Sequence, residues 1–347
     1  MNRELIVGKE QQFTTINEAI DYINNTNDDN NNNNNNNNDN NNNNNNNNDN
    51  NDNNDNIDLI KTINYITSIK VLDGIYEEII ILPNNTQLIG NNVDNVILQF
   101  PTINLPGMIN STLISCNDNN IIQNISINLD SNYNKKSLFN DNDEIIGIYC
   151  QNKNNIKLKN IVFKNENLFL KNKIIGIFIH GGERHFIDNI IINFNLGFGE
   201  IYGIYLEYFQ QLSLSNSKIN ISSPSKQNIG IYIENNINYN NINLLSNKID
   251  ISYSENNYGI YLVNSSLILD YSSINIKGFN NINNNAIYCS NDNISNNILD
   301  DDTFIKIMPP NIEIKDNIVK FIKCNVNDDD ENENENEKLL GLDLDLN

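Results

Sequence analysis

The chain of 347 residues has no Trp, 3 Met, 4 Cys and 6 Pro, and its 22 basic residues face 44 acidic ones. Each scarcity excludes something. Cys116, Cys150, Cys289 and Cys324 show neither CxxC pairing nor metal-ligand spacing, so no disulfide framework, metal site or cofactor is expected and the thiols read as reduced. The opening Met1–Gln12 has no apolar targeting core, and no apolar run is long enough to cross a bilayer. The expectation is a cytoplasmic protein without a membrane span. Arginine occurs only as Arg3 and Arg184, and histidine only as His180 and His185. Two biased segments hold 6 and 9 of the acids but one base, so of the formal −22 the remainder carries roughly −8. With no basic patch to meet a phosphate backbone, nucleic acid is not an expected partner.

What is abundant is asparagine. Residues 24–56 are polyasparagine interrupted by Asp and one Thr, and residues 327–337 are Asp, Glu and Asn without an apolar side chain. Neither can bury a core, so both read as disordered. The expected organisation is an N-terminal segment over 1–23, the Asn-rich insertion over 24–56, a folded body over 57–326, and an acidic tail over 327–347 with a Leu/Asp-rich end.

The body is repetitive. Ile146-Gly-Ile-Tyr-Cys150, Ile175-Gly-Ile-Phe-Ile179, Tyr202-Gly-Ile-Tyr-Leu206, Ile229-Gly-Ile-Tyr-Ile233, Tyr258-Gly-Ile-Tyr-Leu262 and Asn285-Ala-Ile-Tyr-Cys289 recur at steps of 27–29 residues. Further short apolar runs lie between them, often with an Asn before the second, as at Asn160 and Asn189. Short Ile-rich runs of period two are strands, and such a step has no room for a packed helix. The pattern predicts an all-β fold, a parallel β-helix solenoid. The rival leucine-rich repeat lacks its Leu consensus. Alternation turns Ile148, Ile177, Ile204, Ile231, Ile260 and Ile287 inward, and with them the residues two later, including Cys150 and Cys289. The Gly and the aromatic of each repeat then face outward. Ser217 falls outside these ladders and reads as an exposed, neutral position.

Val7, Phe13-Thr-Thr-Ile-Asn-Glu-Ala-Ile-Asp21, Ile69-Lys-Val-Leu-Asp-Gly-Ile-Tyr-Glu-Glu78, Ile81-Leu-Pro83 and Leu88-Ile-Gly90 resemble the opening of pectinesterases in the pectin lyase-like superfamily. The resemblance implies a right-handed parallel β-helix solenoid whose residues 1–23 form a strand and a short N-terminal capping helix, capped at Asn17, with Ala19, Ile20 and Ile23 turned to the coil end. The Gln-Asp-Thr-Leu, Asp-Phe-Ile-Phe-Gly and Leu-Gly-Arg-Pro-Trp segments of those enzymes are missing. No catalytic residue carries over from the family.

Three candidate sites follow. The outward aromatics Tyr149, Phe178, Tyr205, Tyr232, Tyr261 and Tyr288 form one stripe, on which a linear glycan could stack beside a strip of Gly; a purely structural ladder gives the same pattern. The next outward positions bring His180, Glu207 and Glu234 onto successive coils, with Arg184 close in sequence. Two adjacent carboxylates can serve as acid and nucleophile in a retaining glycosidase, and on a solenoid they can equally be solvating charges. His185 stands where other coils place Ile156 or Leu212 and reads as inward. Finally, Leu339-Leu340-Gly341-Leu342-Asp343 is similar to a clathrin-box peptide, with Leu339, Leu340, Leu342 and Asp343 as its contacts, or is a last strand covering the solenoid end. The reading is a binding protein for glycan or protein through its outer face. A polysaccharide-active enzyme, using His180, Arg184, Glu207 and Glu234, and a vesicle-traffic protein acting through its tail are the alternatives.

Overall fold

The structure, a computed structural model, describes residues 3–34, 66–101, 110–130, 144–165, 173–195, 197, 199–236, 242–265, 267–270, 272–277, 283–290 and 305–307. Residues 35–65 and the tail from 308 lie outside them, and with these the greater part of the insertion, Leu339–Asp343 and Cys324.

Every sheet neighbour is parallel, and the repeat is the reason. Strands Glu144–Gln151, Lys173–His180, Glu200–Glu207, Gln227–Asn236, Asn256–Ser265 and Asn283–Ser290 lie side by side in one eight-stranded sheet, continued at the other edge by Asn110–Cys116 and Ile80–Ile81. Ile148 pairs with Ile177, Ile177 with Ile204, Ile204 with Ile231, Ile231 with Ile260 and Ile260 with Ile287. The chain between successive strands runs through a second, fifteen-stranded sheet whose members also pair in parallel with the previous coil. The fold is a parallel β-helix.

Asparagine builds the corners. Asn85, Asn119 and Asn155 have φ of 58°, 59° and 56°, a region that Asn tolerates better than other side chains with a Cβ. Each amide donates to the one on the coil before it, Asn119 Nδ2 to Asn85 Oδ1 and Asn155 Nδ2 to Asn119 Oδ1, both at 2.7 Å. A second ladder repeats this at Asn124, Asn160 and Asn189, with φ of 59°, 52° and 53° and bonds of 2.8 and 3.2 Å. Its members bend the long strands Ile121–Asn128, Lys157–Asn165 and His185–Phe194 in mid-course. On later coils Asn216 and Ser246 hold the same left-handed corner, and there each strand divides into two, Leu212–Ser215 with Lys218–Ser222 and Ile242–Leu245 with Lys248–Ser252. The recurrent Asn before the second apolar run is this corner.

The lumen is a single column of Ile, Leu and Phe. Ile148, Ile177, Ile204, Ile231, Cys150, Ile179, Leu206 and Ile233 are fully buried in it, as the alternation predicts. Cys116 and Cys150 pair in register and are free. The Cys116 thiol beside it, together with burial, pushes the Cys150 thiol well above its ordinary value, so it is not a thiolate. The side chain of Cys289 lies outside the described residues.

The glycines do not face outward. A Cβ on Gly147 would meet the lumen ring of Phe163 and the carbonyl of Gly176, each at 2.7 Å. Ala286, which holds this place on the strand Asn283–Ser290, packs in the lumen cluster. The Gly and the Ile after it thus both lie on the lumen side, and pairing passes over the Gly (Ile146 with Ile175, then Ile148 with Ile177). Alternation slips by one residue there, as at a bulge. The outer partner of each aromatic is therefore the residue before the Gly. Ser217 is also misplaced by the sequence reading: it is buried, its Oγ accepts from Ile190 N–H at 3.1 Å and donates to Ser215 O at 2.8 Å.

The N-terminal end is covered by the helix Ile16–Asn34, which buries Ile16, Ala19, Ile20 and Ile23 and runs eleven residues into the Asn-rich segment. Asn17 is not its cap. Thr15 Oγ1 accepts from Glu18 N–H at 3.2 Å, and Glu18 Oε2 accepts from the N–H of Thr14 and Thr15 at 2.7 and 3.2 Å, a reciprocal capping box. These backbone and hydroxyl donors hold the Glu18 carboxyl below its ordinary value. Glu78 completes the cap, accepting from Ile16 and Asn17 N–H at 2.9 Å each, while Asn17 Nδ2 donates to Ile79 O.

Candidate functional site

The outer face of the eight-stranded sheet carries a second apolar cluster, separate from the lumen: Ile146, Ile175, Tyr202, Ile229 and Tyr258 beneath and beside Tyr149, Phe178, Tyr205, Tyr232, Tyr261 and Tyr288. The six aromatics stand in register. Successive ring centroids lie 5.2, 4.9, 4.5, 5.3 and 4.6 Å apart from Tyr149 to Tyr288. Tyr205, Tyr232 and Tyr261 are stacked within 25° of parallel, while Tyr202 and Tyr258 meet their neighbours edge-on. The stripe is thus a double row, and its rings mostly contact each other. Tyr205 is only 8% exposed, and the remaining five are half-buried. What reaches the surface is ring edges and hydroxyls rather than open ring faces beside a glycine strip.

Carboxylates edge the row. Tyr202 Oη donates to Glu200 at 3.0 Å and Tyr232 Oη to Glu234 at 2.9 Å. Burial first, and then the charges of Glu200, Glu207 and Glu234, push the phenols of Tyr202, Tyr205 and Tyr232 far above their ordinary value. They remain neutral donors throughout the physiological range. Lys173 answers the acids: its Nζ lies 3.2 Å from Glu144 and sits 4.4 and 5.0 Å above the rings of Tyr205 and Tyr202. This is a cation–π contact supplied by the chain itself.

His180, Glu207 and Glu234 occupy one register on three successive coils. His180 Nδ1 contacts Glu207 Oε2 at 2.8 Å, and Tyr208 packs on the imidazole, ring centroids 5.4 Å apart. Glu207 is therefore engaged with His180 and Glu234 with Tyr232, and the charges of both act on the Tyr205 phenol between them. Arg184 is exposed, with φ 60°, at the place in the first corner ladder that Asn155 holds one coil earlier. It enters none of the ion pairs among the described residues. His185 is buried in the lumen opposite Leu212, its Nε2 against Gly181 O at 3.2 Å. No group of His, Cys, Asp and Glu among the described residues could hold a metal ion. No described helix is long and apolar enough to cross a membrane.

Sequence reasoning missed Tyr202, Tyr258, Lys173, Glu144 and Glu200. All five lie on the near side of the Gly, where the slip in alternation conceals which side chains face out. The signal was the Gly itself, because a Gly inside a strand marks a bulge or a close backbone approach.

The chain matches no family model and no curated protein. Among solved structures it is similar to the A-module of a mannuronan C-5 epimerase from Azotobacter vinelandii, at 11% identity over 72% of this chain and 91% of that one, with a TM-score of 0.16. A likeness of that degree says nothing of substrate.

Proposed function

We propose that the protein is a non-catalytic scaffold that binds a linear glycan along the outer face of the eight-stranded sheet. The observation that carries the reading is the in-register row from Tyr149 to Tyr288, one aromatic edge per coil, with Tyr hydroxyls and Glu carboxylates beside it. A surface of repeating apolar edges and fixed hydrogen-bonding groups suits a polymer that repeats along the same axis. The coil is taken as right-handed, as parallel crossovers are, and the opening strand and helix support a place among the pectin lyase-like folds. The test is a glycan array with the full chain. Retention by the wild type and its loss in Tyr149→Ala combined with Tyr232→Ala, at an unchanged far-UV spectrum, is expected. No glycan retained by the wild type would overturn the reading.

One contact favours a second reading, a polysaccharide-active enzyme. His180 and Glu207 form a 2.8 Å pair of the kind used for proton transfer. A reducing-end assay on the retained glycan separates the two. Turnover that disappears in Glu207→Gln would make the face an active site, and retention without turnover supports the scaffold.

A further inference from the structure

We infer that the glycan held by this face is a linear aminoglycan with free amines, a 1,4-linked glucosamine polymer. This rests on the glycan reading just given and adds the chemistry of the ligand. The chain displays the interaction once with its own side chain. The Lys173 ammonium lies over the rings of Tyr205 and Tyr202 and against Glu144, so the face accepts an ammonium between aromatic and carboxylate.

On the neighbouring coils the register of Lys173 is held by Glu144 and Glu200, then by Gln227, Asn256 and Asn283. Among the described residues no other ammonium stands over the row, while Tyr232, Tyr261 and Tyr288 continue it. Glu200, Glu207 and Glu234 lie along its edges. On the coils of Tyr261 and Tyr288 the same register positions hold Asn256, Asn283, Val263 and Ser290, so the carboxylate-edged part of the row runs from Tyr149 to Tyr232. An ammonium placed there gains from charge-assisted hydrogen bonds to the carboxylates.

The spacing selects a glycan over a basic peptide. Coils repeat at about 4.8 Å, whereas an extended peptide presents same-side residues about 6.6 Å apart and would lose register within a few coils. A β-1,4-linked glucosamine chain advances by close to one coil per residue and, its successive residues being turned over, directs its amines alternately to the two edges of the row. N-acetylation would remove both the charge and the cation–π partner.

The experiment titrates the full chain, followed by tyrosine fluorescence, with four hexamers: glucosamine, N-acetylglucosamine, glucose and lysine, at about pH 5.5, where free carboxylates are ionised. The glucosamine hexamer should bind, weakening about tenfold from low to physiological salt. It should weaken about fivefold in Glu200→Gln and in Glu234→Gln, a charge-assisted hydrogen bond being lost in each. Lys173→Met, which removes the resident ammonium, should bind it about threefold more tightly. N-acetylglucosamine or glucose hexamers binding equally well would overturn the amine requirement while leaving the glycan face standing. An equal affinity for the lysine hexamer would overturn the commitment to a glycan. Absence of binding by all four would overturn both, and a glucosamine affinity indifferent to the three substitutions would overturn this location.

Discussion

The carbonyl oxygen of Gly230 lies 2.6 Å from where a Cβ on Gly203 would stand, with the lumen side chain of Ile219 at 2.8 Å. Both are closer than real Cβ contacts, and one is backbone that cannot step aside. Gly203→Ala should therefore cost about 1–3 kcal/mol through overpacking. Ala286→Gly, at the equivalent place on the strand Asn283–Ser290, should cost about 1 kcal/mol through the backbone entropy of Gly in a strand and a small cavity. Thermal melts of the two variants check this. A neutral or stabilising Gly203→Ala would mean that the glycine row is not set by coil-to-coil approach.

A second set of substitutions reads the lumen. Ile204→Asp places a charge in a fully buried column and should unfold the protein or cost more than about 4 kcal/mol. Ser217→Ala leaves Ile190 N–H and Ser215 O without their bonds and should cost about 1–3 kcal/mol. Asn243→Asp, on an exposed position, should stay within about 0.5 kcal/mol. Chemical denaturation of the three variants supplies the order, and a neutral Ser217→Ala would remove the corner bond from the account.

The solenoid was legible because its two periods are both written in the residues. Period two in the Ile runs assigned Ile148 and Cys150 to the lumen correctly, and the 27–29 residue step required stacked coils. The outer face was legible only in part. Tyr149 to Tyr288 lie where alternation puts them, and His180, Glu207 and Glu234 share one register as expected. Tyr202, Tyr258 and Lys173 were hidden by the slip at the glycines, because a one-residue bulge reverses the parity of everything on one side of it. Hydrogen-bond topology was less legible still. Ser217 looks like any surface serine in a polar stretch, and only the corner geometry turns its hydroxyl to Ile190. The cap was misassigned for a similar reason: Thr15 and Glu18 carry the capping-box spacing, but the Glu78 carboxylate that completes it arrives from 62 residues away.

The helix start gives a pH-dependent prediction. The Glu18 carboxyl is depressed by N–H bonds from Thr14 and Thr15 and by the Thr14 hydroxyl. A depressed carboxyl stabilises the fold above its unfolded value of about 4.3, and that stabilisation is lost as pH falls through the folded value. Glu18→Gln should therefore melt lower than the wild type at neutral pH, and the gap should close in acid. Thr15→Ala, which removes the reciprocal acceptor, should cost about 1 kcal/mol at both pH values. Melting curves at neutral pH and near pH 3 distinguish the two behaviours, and a gap for Glu18→Gln that persists in acid would show that its effect is not electrostatic.

His185 gives a pH dependence by a different route. It is 3% exposed, its Nε2–H donates to Gly181 O, and its Nδ1 meets no partner among the described residues. Burial lowers its pKa below the ordinary value, with the Gly181 carbonyl opposing in part. Protonation would place a second N–H donor, and a charge, in an apolar column between Ile156 and Leu212. The unfolded chain takes up that proton at about pH 6.5, before the folded one does. Stability is therefore complete above that pH, declines as pH falls through it, and levels off once the folded pKa is passed. His185→Leu restores the residue type of the adjacent coils and removes the proton. At neutral pH it loses the bond to Gly181 and should melt near the wild type or slightly below it. As pH falls toward 5 the wild type should lose more stability than the variant, so that the two curves approach and then cross. Carboxylates titrate in both proteins alike, which leaves the difference between the curves to His185. Parallel curves over that interval would show that the imidazole does not titrate differently in the folded chain.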